Sequence, residues 1–122
     1  MSYPRPYPRK RILIFINRVN FGSDSLVEVL RMAVGLSGGL AQHQVAIVFM
    51  GDGVTECLRS RLTEAAQPYM LAALSGQVTF WADKYSLDLR GMNPEMLLPQ
   101  CQILAPEELS QFMGRADIHV RL

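Results

Sequence analysis

Cys57 is the side chain in this 122-residue sequence whose type and surroundings argue most directly for covalent chemistry. It closes the stretch Gln44 to Leu58, QVAIVFMGDGVTECL, where an apolar run from Val45 to Met50 meets Gly51, Asp52 and Gly53 and then a helical sequence. An apolar run without polar alternation suits a strand covered on both faces. The glycines free the backbone for a tight turn, and Asp52 can accept from the exposed amides of the next helix. A thiol three or four residues into that helix would feel its positive end, which favours the nucleophilic thiolate, although Glu56 beside it opposes the effect. The plainer reading of the same residue is a small buried hydrophobe.

Other constellations fail on spacing. Gly51 and Gly53 begin a dinucleotide fingerprint, but Glu56 stands where its third glycine belongs, and no G-x-x-x-x-G-K-[S/T] segment occurs. Asn17 and Arg18 follow the first strand where a metal-dependent response regulator needs acidic residues. Two cysteines and two histidines without paired spacing give no zinc site. His43 precedes a strand and His119 lies inside the last one, so a Cys-His pair has little support. No metal and no cofactor is expected.

The elements that position these residues alternate regularly. Ile12 to Ile16 form the first strand, and Leu26, Val29, Leu30, Ala33, Val34 and Leu36 recur at helical spacing behind Gly22, Ser23 and Asp24. After the second strand, Val54 to Ala65 fit a second helix that Pro68 interrupts, followed by a short helix from Tyr69 to Leu74. Val78 to Trp81 read as a third strand, Ala82 to Leu89 as a helical turn, and Cys101 to Leu104 as a fourth strand. Pro106 opens a helix at its favoured first position, with Glu107 and Glu108 at the positive end, and Asp117 to Leu122 make a fifth strand. This order predicts a single α/β, flavodoxin-like domain over residues 12–122, with a mostly parallel five-stranded sheet between helices. Ligand-binding loops of such a sheet lie at the carboxyl ends of its strands, which makes Asn17, Gly22 and Ser23 after the first strand, and Gly51, Asp52 and Gly53 after the second, candidate binding residues. Cys57 would follow one strand's carboxyl end and Cys101 would precede another strand, at opposite edges of the sheet, so no disulfide is expected.

Residues 1–11 form a Pro/Arg/Tyr arm with Tyr3-Pro4-Arg5 repeated as Tyr7-Pro8-Arg9. Its prolines forbid helix and favour a flexible, extended chain. Such an arm suits docking on a partner groove or on RNA, and equally suits an ordinary loose terminus. A net charge of +1 supplies no global field for nucleic acid, so no direct nucleic-acid partner is expected. Cysteine usage, the lack of a signal peptide and the lack of an apolar run near 18 residues predict a cytoplasmic protein without a membrane partner. A hydrophobic fraction of 49% is tilted apolar for so short a chain and suits a subunit that covers surface against copies or partners.

Ile12 to Asn17, FGSDSLVEVLRMAVGL from Phe21, QVAIVFMGDGV from Gln44, LDLRGMN from Leu87 and ILAPEELSQFMGRADIHVRL from Ile103 together resemble the DsrE/DsrF-like sulfur-relay family. The resemblance implies an α/β subunit that assembles into trimers or hexamers with itself or with sister DsrE-like chains, and that meets a sulfur-carrier protein. It also implies a persulfide-bearing cysteine just after the third strand. Ala82-Asp83-Lys84-Tyr85-Ser86 stands there without one, so a persulfide at the family's usual position is excluded by composition. Asp83, Lys84 and Tyr85 become binding candidates by position, and the chain looks closer to the DsrF or TusC-like branch. The expectation is a non-enzymatic accessory subunit. The alternative is a sulfurtransferase that has moved its thiol to Cys57.

Overall fold

The computed structural model describes residues 8–18, 25–39 and 42–122. Five strands, β1 (Arg11–Ile16), β2 (Gln44–Phe49), β3 (Val78–Asp83), β4 (Cys101–Leu104) and β5 (Ile118–Arg121), form one sheet in the order β4-β3-β2-β1-β5. Every pairing is parallel, so the sheet is all-parallel rather than mostly so. The order follows from chain direction. Successive right-handed crossovers add β2, β3 and β4 on one side of β1, and the last crossover returns over the opposite face to place β5 on β1's other side.

That reversal sorts the helices. The helices α1 (Ser25–Ser37), α2 (Gln67–Ser75) and α3 (Lys84–Leu89) cover one face, while α4 (Pro106–Arg115) lies on the other. Strand periodicity supplies both surfaces: Ile12, Ile14 and Ile16 pack with α1 residues Leu26, Val29, Leu30 and Ala33, whereas Leu13 and Phe15 turn toward Leu109 and Phe112 of α4. Beyond their exposed first residues, Arg11 and Gln44, β1 and β2 are therefore apolar because both of their sides are covered. The α4 helix starts where Pro106 and the acidic first turn predict, and Glu108 Oε1 accepts the Ala105 N–H at 3.1 Å.

The second helix departs from expectation. In place of a helix over 54–65, the chain makes 3-10 helices over Gly51–Cys57 and Arg59–Arg61, and Pro68 lies in the first turn of α2 instead of interrupting a helix. Packing explains the tighter form. A Cβ on Gly53 would sit 1.9 Å from the Ile16 carbonyl oxygen, so the turn is pressed against the end of β1 from its third residue onward. Leu58 then bridges to Leu97, which holds the segment along the sheet instead of letting it coil away. Among the described residues no helix is long and apolar enough to cross a membrane.

Candidate functional site

Outgoing connections at the carboxyl edge part company between β3 and β4, since α3 passes over the first face and α4 over the second. A crevice at such a switch point is where open α/β sheets bind ligands. The corner after β3 is built by Asp83, the last residue of that strand and the cap of α3. Its Oδ2 accepts the Ser86 N–H at 3.2 Å and the Ser86 hydroxyl at 2.6 Å. The Ser86 Oγ in turn accepts the Gly51 N–H at 2.8 Å, so amide, hydroxyl and carboxylate form a continuous relay between the loop after β2 and the corner after β3. Asp83 and Ser86 are both buried, which makes each of these bonds costly to lose.

Gly51 and Gly53 serve different ends. Gly51 has φ of +56°, the left-handed conformation a turn of this kind needs, whereas Gly53 is required by the close approach of Ile16. Asn17 reaches the same place through its backbone, its carbonyl oxygen lying 3.8 Å from where a Gly51 Cβ would stand. Asp52 points outward and pairs with Arg90 at 2.7 Å, and Arg90 also donates to the Ser86 carbonyl at 3.0 Å. Lys84 and Tyr85 are exposed at the start of α3; Lys84 pairs with Asp88 at 2.8 Å, which raises its pKa by hydrogen bond and charge. The structure thus brings Asn17, Gly51, Asp52, Gly53 and Asp83 together, with Lys84 and Tyr85 beside them. Gly22 and Ser23 lie outside the described residues. Ser86 and Arg90 are participants that the sequence reading passed over. The one local signal for them was their helical i, i+4 spacing, which carries no functional information by itself.

Cys57 does not belong to this corner. The 3-10 helix rises about 2 Å per residue and carries the chain from the carboxyl edge back along the sheet, so its seventh residue ends up toward the amino side. There Cys57 O accepts the Leu98 N–H at 2.8 Å, and Leu98 O accepts the Cys101 N–H at 2.9 Å. The two cysteines are neighbours, not residues of opposite edges, and both are free thiols. Cys57 is fully buried and its Sγ donates to Val54 O at 2.9 Å. Its pKa is driven far upward, first by the hydrogen bond with the Cys101 thiol and then by burial, so the thiol stays protonated. His43 Nδ1 accepts the Lys10 N–H at 3.0 Å, and the His119 ring contacts Phe15 edge-on with Nε2 3.0 Å from Met113 O; neither histidine faces the thiol. Among the described residues no three His, Cys, Asp or Glu side chains gather to hold a metal ion.

The DsrE/DsrF-like family profile matches residues 10–122. The chain belongs to the DsrE/DsrF-like family. Solved structures share the fold of this DsrE/DsrF-like chain, two of them over nearly the whole of both chains. The ychN protein from E. coli superposes with a TM-score of 0.74 at 26% identity, over 93% of this chain and 99% of that one. MTH1491 from Methanobacterium thermoautotrophicum, a protein of unknown function, superposes with a TM-score of 0.67 at 19% identity over the same shares. No curated protein matches the chain. In this DsrE/DsrF-like chain Lys84 and Tyr85 stand exposed at the corner after β3, beside the buried Asp83–Ser86 pair.

Proposed function

We propose that this DsrE/DsrF-like chain is an accessory subunit of a sulfur-relay assembly, a docking or structural partner that carries no persulfide itself. The observation that carries the reading is the corner after β3. A buried carboxylate, a buried hydroxyl and a backbone amide are locked together there, with no thiol between Ala82 and Ser86. The Ser86 hydroxyl has its one proton committed to Asp83 and accepts from the Gly51 amide, and its burial keeps it out of reach of a substrate. Tyr85 and Leu89, exposed one helical turn apart on α3, supply apolar surface for a second copy or a cysteine-bearing sister subunit to cover. The alternative, a carrier relocated to Cys57, gains nothing from that residue's surroundings, because burial and the neighbouring thiol hold it neutral.

Sulfur loading separates the two. The native protein is incubated with a low-molecular-weight persulfide donor, alkylated, and weighed intact by mass spectrometry, with sedimentation of the same sample reporting its association state. The accessory reading expects no added sulfur on Cys57 and a sedimenting species larger than the monomer. Sulfur bound at Cys57 in the folded protein and passed to an acceptor thiol would overturn it, as would a monomer that no cysteine-bearing DsrE-like chain draws into a complex.

A further inference from the structure

The face of the sheet that α4 covers is graded from one edge to the other. Register aligns Arg11 with Gln44 at the amino edge, with Gln77 joined to β2 through the Val45 N–H at 3.0 Å. One step in, Leu13, Ala46 and Thr79 lie in a transverse row, and one step further Phe15, Val48 and Trp81 form the next. The third row is large and filled: Trp81 meets Phe112 of α4 edge-on at 4.7 Å. The second row is small. Ala46 and Thr79 leave space beneath the last turn of α4, and the result is a cavity of about 330 Å³ roofed by Phe112, Arg115 and Ala116.

We propose that this cavity is a binding site for a small organic anion, an apolar or aromatic ring bearing one carboxylate or sulfonate. Its volume falls in the range of small-molecule sites, and its lining combines the apolar Leu13, Ala46 and Phe112 with a few polar side chains of exposed residues. Those groups have the sign and geometry for an anion. Arg11 and Arg115 are exposed and both line the cavity, and neither side chain makes an ion pair or hydrogen bond among the described residues. Gln44 and Gln77 add amide groups, and Lys10 enters β1 alongside, its carbonyl accepting the Gln44 N–H at 3.0 Å. Asp117 also lies at this edge, its Oδ2 accepting the Arg11 backbone N–H at 2.8 Å, and the cationic side chains of Lys10, Arg11 and Arg115 outnumber it. A planar guanidinium fork binds a carboxylate in two parallel hydrogen bonds, while the ring would displace poorly held water from Leu13, Ala46 and Phe112. This site lies at the opposite edge of the sheet from the Asp83–Ser86 corner and does not depend on the relay reading.

Titration of the full-length protein with 2-naphthoate, followed by amide chemical shifts, tests the assignment. Saturable binding with Kd of roughly 0.02–1 mM is expected for a ligand of this size. The shifts should centre on residues 44–46, 77–79 and 112–116. The neutral 2-naphthamide should bind at least about tenfold more weakly, and so should 2-naphthoate to the Arg11→Gln, Arg115→Gln double variant, whose substitutions are exposed and leave the core intact. Ala46→Leu, which fills the floor, should abolish binding. Failure to saturate, shifts centred elsewhere, equal affinity for acid and amide, or unchanged affinity in the arginine double variant would each overturn the proposal.

Discussion

Replacing Gly53 by alanine is the sharpest perturbation of the loop that meets the corner after β3. The new Cβ would stand 1.9 Å from the Ile16 carbonyl oxygen and 2.5 Å from its carbon, and both are backbone atoms of a central strand. Relief needs the loop and β1 to part by more than about 1 Å, an overpacking strain of roughly 1–3 kcal/mol. The same movement stretches two hydrogen bonds, Met50 N–H to Ile16 O at 3.0 Å and Gly53 N–H to Met50 O at 2.9 Å, each worth about 1 kcal/mol. Together the cost is about 3–5 kcal/mol, a large share of a domain's stability, and Tm should fall by roughly 10–20 °C. Urea unfolding followed by far-UV circular dichroism and by the fluorescence of Trp81, the one tryptophan, measures it. Gly35→Ala is the control. That residue lies in the exposed part of α1 with nothing within 4 Å of its Cβ position, so alanine should stabilise by about 0.5–1 kcal/mol. A Gly53→Ala protein within about 1 kcal/mol of wild type would refute the claim that close approach to Ile16 dictates this loop.

Three further outcomes are expected. Ser86→Ala removes a 2.6 Å bond to a buried carboxylate and leaves the Gly51 amide without its partner, so thermal unfolding should report a loss of about 2–3 kcal/mol, and an unchanged Tm would break the relay. The raised Cys57 pKa keeps the thiol protonated in the folded state while the unfolded chain loses its proton above the ordinary thiol value of 9.0. The unfolded state then binds fewer protons, so wild-type stability should fall relative to Cys57→Ala by about 1.4 kcal/mol per pH unit above pH 9, and parallel urea profiles from pH 8 to 10.5 would contradict this. Arg90→Ala, which breaks a pair whose Asp52 side chain is 78% exposed, should cost no more than about 1 kcal/mol for the ion pair, and a larger loss in a salt-insensitive urea titration would assign Arg90 a deeper role through the Ser86 carbonyl.

Legibility followed the range of the interactions. The apolar runs of β1 and β2, the helical spacing of Leu26, Val29, Leu30 and Ala33, and Pro106 ahead of two glutamates are local patterns, and α1, α4 and the strands lie close to where those patterns predict. The 3-10 segment was not legible. Its tight winding answers to the Ile16 carbonyl, a residue 37 positions away from Gly53 in the sequence, and no helix propensity records that contact. Cys57 shows the same limit. Its place three to four residues past a glycine loop was correct as spacing and misleading as geometry, because the chain runs back along the sheet and buries the thiol next to Cys101.

By itself the sequence determined the alternation of strands and helices, the absence of a thiol between Ala82 and Ser86, and the presence of a glycine loop after β2. Periodicity and composition are properties of neighbouring residues, so a linear reading holds them in full. Tertiary structure alone decided that Ser86 would join the Gly51 amide to the Asp83 carboxylate, that Arg90 would reach Asp52, and that the small row Leu13, Ala46 and Thr79 would leave a cavity under α4. Each of these depends on register between strands and on the face to which a crossover returns, and both are fixed only when distant segments pack against one another.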